Sequence, residues 1–163
     1  MLIARGADVN KRSTENRSPL ELAAGSENAT DEALVEVVQI LVDAGASLES
    51  FDDEETPLMR ASMVGHGTVA DELLKSGADP NWSKASNGET ALYVACAEGH
   101  PNVARVLAAA ADLNVRKTSN HETALYVACS KGHLDVVREL LNAGVDLSED
   151  VNTVPRTGKI ARP

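Results

Sequence analysis

Aromatic residues are nearly absent: the 163-residue chain has one Trp, two Tyr and one Phe. A core built on large ring anchors is excluded, so small side chains in close-packed elements must supply the packing. Cysteine is equally scarce, at two residues, which rules out a disulfide scaffold and fits a reducing compartment. No apolar run approaches the roughly 18 residues a membrane helix needs, so membrane insertion is not expected. The opening residues, Met1 to Asp8, reach charge too early for a secretory signal peptide. Basic residues are outnumbered, 15 Lys and Arg against 25 Asp and Glu, for a formal charge of −10. Phosphate would be repelled, so no nucleic-acid partner is expected. What is abundant is alanine, with 24 copies in a chain that is 43% hydrophobic. That is enough for a core and too much for a disordered chain.

The chain repeats itself. Residues 90–100, Thr-Ala-Leu-Tyr-Val-Ala-Cys-Ala-Glu-Gly-His, recur 33 positions later at 123–133 with nine of eleven residues unchanged. Thr56-Pro57-Leu58 through Gly65-His66 stands 34 positions upstream, and Ser18-Pro19-Leu20 stands further up. A second motif alternates with the first: Gly6-Ala7-Asp8-Val9-Asn10, Gly45-Ala46-Ser47-Leu48-Glu49, Gly77-Ala78-Asp79-Pro80-Asn81, Ala110-Ala111-Asp112-Leu113-Asn114 and Gly144-Val145-Asp146-Leu147-Ser148. Two interleaved motifs in constant order mark a repeat architecture.

Local signals place helices in each unit. Thr56, Thr90 and Thr123 are candidate N-caps, whose hydroxyls accept from backbone amides left orphaned at a helix start. Pro19 and Pro57 follow at the first helical turn, where a missing N–H costs nothing. The Gly-His pairs end this helix. Val136, Val137, Leu140 and Leu141 form the apolar stripe of a second helix, as do Val37, Val38, Ile40 and Leu41 earlier. Gly45, Gly77 and Gly144 stop that helix. Alanines 23, 24, 61, 95 and 128 let neighbouring helices approach closely.

On these residues the chain resembles the ankyrin-repeat family, over about residues 1 to 148. The resemblance implies an all-α repeat solenoid of antiparallel helix pairs linked by β-hairpin loops. It divides the chain into a partial unit at 1–12 and repeats at about 13–50, 51–83, 84–117 and 118–148. A tail at 149–163 without the motif is expected to be partly disordered. The chain opens inside a unit, as a fragment of a longer protein or an incomplete gene model would.

Departures from the family pattern are specific. The first unit carries about six extra residues from Gly25 and lacks Gly-His, predicting a longer and frayed turn between its helices. The family's histidine after the T-P-L element is Glu21, Met59, Tyr93 and Tyr126 here, which puts its usual backbone hydrogen bond in doubt. Ala110 replaces the expected glycine, predicting local strain.

Several apparent chemical motifs have plainer readings. Gly65-His66-Gly67-Thr68-Val69-Ala70 matches a dinucleotide fingerprint, but that fingerprint must follow a strand. His66, His100 and His133 recur one unit apart, on the order of 10 Å for packed helices, too far to share a zinc ion. They read as turn histidines bonded to local backbone. Cys96 and Cys129 face the same spacing problem for a disulfide and read as small core residues. Asn28-Ala29-Thr30 is a glycosylation sequon left idle without secretion. No catalytic constellation, metal-ligand set or phosphate loop occurs, so no enzyme activity, cofactor or small-molecule substrate is expected.

The resemblance implies binding of another protein through hairpin tips and the exposed side of each first helix. The tip candidates are Lys11, Arg12, Phe51, Asp52, Asp53, Glu54, Trp82, Lys84, Arg116 and Lys117. The helix candidates are Met59, Met63, Tyr93, Glu98, Tyr126 and Lys131. Trp82 reads equally as an interface anchor or as a ring folded onto its own hairpin. Tyr93 and Tyr126 read as packing on the next hairpin. Pro19 to Met59 holds eleven acids and no Lys or Arg, which is either a solvated face or a field that steers a partner with a basic segment. Two alternatives remain open. Asn10 and Asn81 resemble sites of an asparaginyl hydroxylase that modifies ankyrin repeats, or the array regulates a larger enzyme or channel. A cytoplasmic setting is expected, with the nucleus as the alternative.

Overall fold

The structure, a computed structural model, describes residues 8–49 and 55–146. Phe51, Asp52, Asp53 and Glu54, and the tail expected at 149–163, lie outside the described residues. Among those described there are eight helices: α1 (Pro19–Ala24), α2 (Asp31–Asp43), α3 (Pro57–Val64), α4 (Gly67–Lys75), α5 (Ala91–Glu98), α6 (Pro101–Ala108), α7 (Ala124–Lys131) and α8 (Leu134–Asn142).

Each odd-numbered helix starts on a hydroxyl. Ser18, Thr56, Thr90 and Thr123 accept from the backbone N–H of Glu21, Met59, Tyr93 and Tyr126. At Ser18 the bond is reciprocated, because the Glu21 carboxylate accepts from the Ser18 N–H at 3.4 Å. Glu21, placed where the family has histidine, therefore closes a capping box.

The helices form two layers. α1, α3, α5 and α7 pack in succession, α2, α4, α6 and α8 do the same, and each odd-numbered helix packs on the even-numbered helix after it. Leu20, Leu58, Leu92 and Leu125 line the seam from one layer, and Val38, Leu73, Leu107 and Leu140 line it from the other; all are buried. Ala24, Ala61, Ala95 and Ala128 are fully buried in the first layer, where a larger side chain would force its helices apart. Ala23 stays partly open. No helix among the described residues is long and apolar enough to cross a membrane.

Three expectations need correction. The hairpins carry no strands among the described residues, only the isolated bridge between Ser83 and Thr90. The hairpin loops at 84–89 and 117–122 close instead on pairs of backbone bonds, Lys84 N–H to Glu89 O with Gly88 N–H to Lys84 O, and Lys117 N–H to Glu122 O with His121 N–H to Lys117 O. Ala110 is not strained: its N–H and that of Ala111 both turn back to Leu107 O at 2.9 and 2.8 Å, and neither residue has positive φ. Cys129 is exposed, unlike its counterpart Cys96, because no described helix lies beyond α7 on that side.

Candidate interaction surface

The hairpin side of the molecule is organised by bonds from one unit to the next. Asn10 Oδ1 accepts from the Ser47 N–H at 2.8 Å, and Asn10 Nδ2 donates to Gly45 O at 3.1 Å. Asn81 Oδ1 repeats the first bond with the Asp112 N–H at 2.7 Å. Glu49 stands in for asparagine between them and accepts from the Asp79 N–H at 3.1 Å. The two candidate modification residues thus hold the following hairpin with the same side-chain oxygen.

Deeper in the hairpins runs a charged ladder. Glu55 accepts from Arg60 at 3.2 Å and from Lys84 at 3.1 Å; Glu89 lies 3.8 Å from Lys84 and accepts from Lys117 at 2.8 Å. Burial raises both carboxyls, but the lysine bonds and charges outweigh it, and Glu55 and Glu89 end below their ordinary value. The Tyr93 hydroxyl donates to Glu122 at 2.8 Å, and Lys117 Nζ sits 5.0 Å from the Tyr93 ring centroid. Burial and the Glu122 contact push the Tyr93 hydroxyl above its ordinary value.

The candidates therefore separate. Met59 is only 1% exposed and is a core residue, out of a partner's reach. Tyr93, Lys84 and Lys117 face the neighbouring unit. Trp82 is half-buried and packs against the core, so its ring folds back. Arg12 is half-buried, bonded to Asn16 O at 2.8 Å and lying 3.5 Å from Glu21. Arg116 donates to His121 O at 3.4 Å. Met63 is half-buried; its carbonyl receives His100 and its sulfur lies 3.9 Å from Arg60 Nη1. Lys11, Glu98, Tyr126 and Lys131 are exposed. Lys131 reaches back to Ala97 O at 2.7 Å and lies 3.9 Å from Glu98.

The repeated histidines bond to backbone, but to that of the preceding unit and not their own. Nε2 of His100 and of His133 donates to Met63 O and Ala97 O at 3.0 and 3.2 Å. The dinucleotide-like glycines join α3 to α4, so no strand precedes them. The even-helix side carries a groove of about 400 Å³ lined by Asp31, Thr68, Asp71, Asn102, Arg105 and Val106.

The family model for ankyrin repeats (3 copies) matches residues 1–84 and 65–151. The chain belongs to the ankyrin-repeat family. Its array is 36% identical over 87 residues to an ankyrin repeat and KH domain-containing protein, mask-1, of Caenorhabditis elegans, covering 53% of this chain and 3% of that protein. It is 30% identical over 105 residues to a transient receptor potential cation channel subfamily A member 1 homolog of the same organism, covering 64% and 8%. It is 31% identical over 112 residues to human ankyrin repeat domain-containing protein 63, covering 66% and 28%. The ankyrin array thus spans less than a third of each of these relatives. Ankyrin repeats are in general protein-interaction modules.

Sequence reasoning passed over the brackets between units in this ankyrin array. Their signal was in view: a glutamate stands immediately before the caps Thr56, Thr90 and Thr123.

Proposed function

We propose that residues 1–148 act as one array, a non-catalytic scaffold that binds another protein through its hairpin tips and first-helix side. The observation that carries this is the division among the candidate side chains. Lys84, Lys117 and Tyr93 are taken up by neighbouring units, whereas Lys11, Glu98, Tyr126 and Lys131 on the same side stay at the surface. The acidic run from Pro19 to Met59 favours a partner with a basic segment. A cytoplasmic or nuclear setting suits the free thiols.

Capture from native lysate tests this reading when two variants are compared. Tyr126→Ala with Lys131→Ala should lose the partner. Arg105→Ala with Asn142→Ala, on the even-helix side, should keep it. Loss with both pairs, or with neither, sinks the proposal. The basic-segment part is tested separately with Asp52→Asn, Asp53→Asn and Glu54→Gln, leaving Glu55 intact because it braces Lys84 and Arg60. Slower association with a flatter salt dependence supports steering; unchanged on-rates at low and high salt refute it.

A second reading is favoured by how little of its relatives the chain spans: a regulatory array within a larger enzyme or channel. Fusion to the neighbouring domains of the full reading frame, followed by an activity comparison with and without the array, decides it. The hydroxylase-substrate reading predicts a mass gain of one oxygen atom on Asn10 or Asn81 in protein isolated from its native cell.

A further inference from the structure

We infer that His66 is held as a doubly protonated ring that clamps the inserted turn of the first unit onto the second, and that this joint loosens when the ring loses a proton. The ring nitrogens of His66 face two oxygens. Nδ1 lies 2.6 Å from Asp31 Oδ1, and Nε2 lies 2.8 Å from Ser26 O. A carbonyl has no hydrogen to give, and neither does an ionised carboxylate, so both bonds require an N–H on each nitrogen. A neutral imidazole has one N–H and must give up one of the two bonds. His100 and His133 occupy the same place in their units, yet each makes one ring bond, which a neutral ring satisfies.

The difference comes from the first unit. Its longer turn supplies Ser26 O, the counterpart of Met63 O and Ala97 O, and the additional acceptor is Asp31. Asp31, the first residue of α2, is replaced by Gly67, Pro101 and Leu134 at the start of α4, α6 and α8. Asp31 also accepts from Thr68 Oγ1 at 2.7 Å, tying α2 to the first turn of α4. Partial burial raises the Asp31 carboxyl; the bonds from Thr68 and His66 and the His66 charge outweigh this, and it ends below its ordinary value.

Of the other charged groups at the joint, Asp71 of α4 is paired with Lys75 at 2.6 Å, Arg105 of α6 lines the groove beside Asp31, Arg60 of α3 lies against Gly25 at the base of the turn, and Glu27 and Glu32 are exposed. The His100 ring closes the far side, so near Gly65 that an added Cβ would meet it at 2.6 Å. The sign follows from the two protons. Asp31 contributes above its folded titration and loses that contribution as pH falls through it, below the ordinary 3.8. The His66 clamp holds while both ring nitrogens carry a proton and opens when one of them is lost.

Imidazole ¹⁵N spectra and amide exchange of the native chain test the clamp. Under conditions where His100 and His133 show one unprotonated nitrogen, His66 should show both protonated. The amides of residues 26–30, corrected for intrinsic base catalysis, should exchange about tenfold faster once His66 is neutral. Asp31→Asn removes the need for the second ring proton and should abolish that pH dependence, as should His66→Gln. An unprotonated His66 nitrogen with the turn still protected would overturn the inference, and so would a native pH dependence that survives Asp31→Asn.

Discussion

Helices α5 and α7 both begin Ala-Leu-Tyr-Val-Ala-Cys, yet they sit in different surroundings. Tyr93 is 8% exposed and Tyr126 is 47% exposed; Cys96 is fully buried and Cys129 is open. Leu125, Val127 and Ala128 stay buried, as Leu92, Val94 and Ala95 are. The residues that differ are those that face onward along the stack. For α5 they meet the next hairpin, where Lys117 and Glu122 receive Tyr93; for α7 no described element follows on that side. Burial here belongs to the joint between units and not to the residue, which is the physical content of a one-dimensional array.

The largest break in this comparison comes from the shared leucines. Leu92→Ala and Leu125→Ala should each cost about 2–5 kcal/mol, as deletions of buried leucine do. Their reach should differ, because Leu125 supports one described joint and Leu92 lies between two. Cys96 is the reporter, since burial protects its thiol and raises it to about 12. In a Cys129→Ser background, Leu125→Ala should speed Cys96 labelling in mild urea while the fluorescence of Trp82 stays native. Loss of both signals together would show that the last unit does not unfold by itself.

A glycine pair sharpens the same point at lower energy. Gly99 and Gly132 end α5 and α7 with φ of +80° and +75°, so alanine at either costs about 1 kcal/mol for the left-handed backbone. At Gly99 the new methyl also meets the His133 ring at 2.7 Å, whereas nothing lies within 4 Å of Gly132. Displacing that ring from Ala97 O should add about 1–3 kcal/mol. Urea midpoints for Gly99→Ala and Gly132→Ala should therefore separate, and equal midpoints would mean that His133 moves aside freely.

The joint itself is sensitive to acid. Glu89 titrates below its ordinary 4.5 because Lys117 of the next unit holds it charged, despite the opposing effect of burial. A depressed carboxyl stabilises the fold above the ordinary value and loses that contribution as pH falls through the folded one. The bracket between the last two units should weaken by about 1 kcal/mol across that window, the scale of a partly shielded pair. Faster Cys96 labelling below the ordinary carboxylate range is the expected observation. Glu89→Gln should flatten that dependence.

The fold was legible because caps, leucines and stop signals repeat within a few residues of each other, and local chemistry decides them. The surface was legible only in part. Met59 and Tyr93 stand at equivalent places, and one is core while the other bonds to Glu122, because that place faces the next unit and its role depends on what the next hairpin carries. Lys84 and Lys117 looked like tip charges until Glu55 and Glu89 were set beside them across a unit boundary. His66 resembles His100 in sequence, and only Asp31, standing where α4 starts with Gly67, brings a second acceptor to its ring.

The smallest effect tests the hairpins themselves. Gly88 and His121 hold the same position in successive turns, with φ of +75° and +60°, and each donates its N–H to a lysine carbonyl at 2.8 Å. Gly88 has no alternative, because a Cβ there would meet the Thr118 backbone nitrogen of the next hairpin at 2.6 Å. His121 is exposed at the last described turn, so only the left-handed backbone disfavours its side chain. His121→Gly should relieve that strain, offset in part by the freer unfolded chain, for a net gain of about 0.5 kcal/mol. A small rise in urea midpoint is expected. Gly88→His should lower it by far more, since the substitution must also dislodge Thr118 from its bond to Asn87 O. If the two substitutions shifted the midpoint by equal and opposite amounts, backbone conformation alone would govern both turns, and contact with the next unit would have no part in choosing the residue.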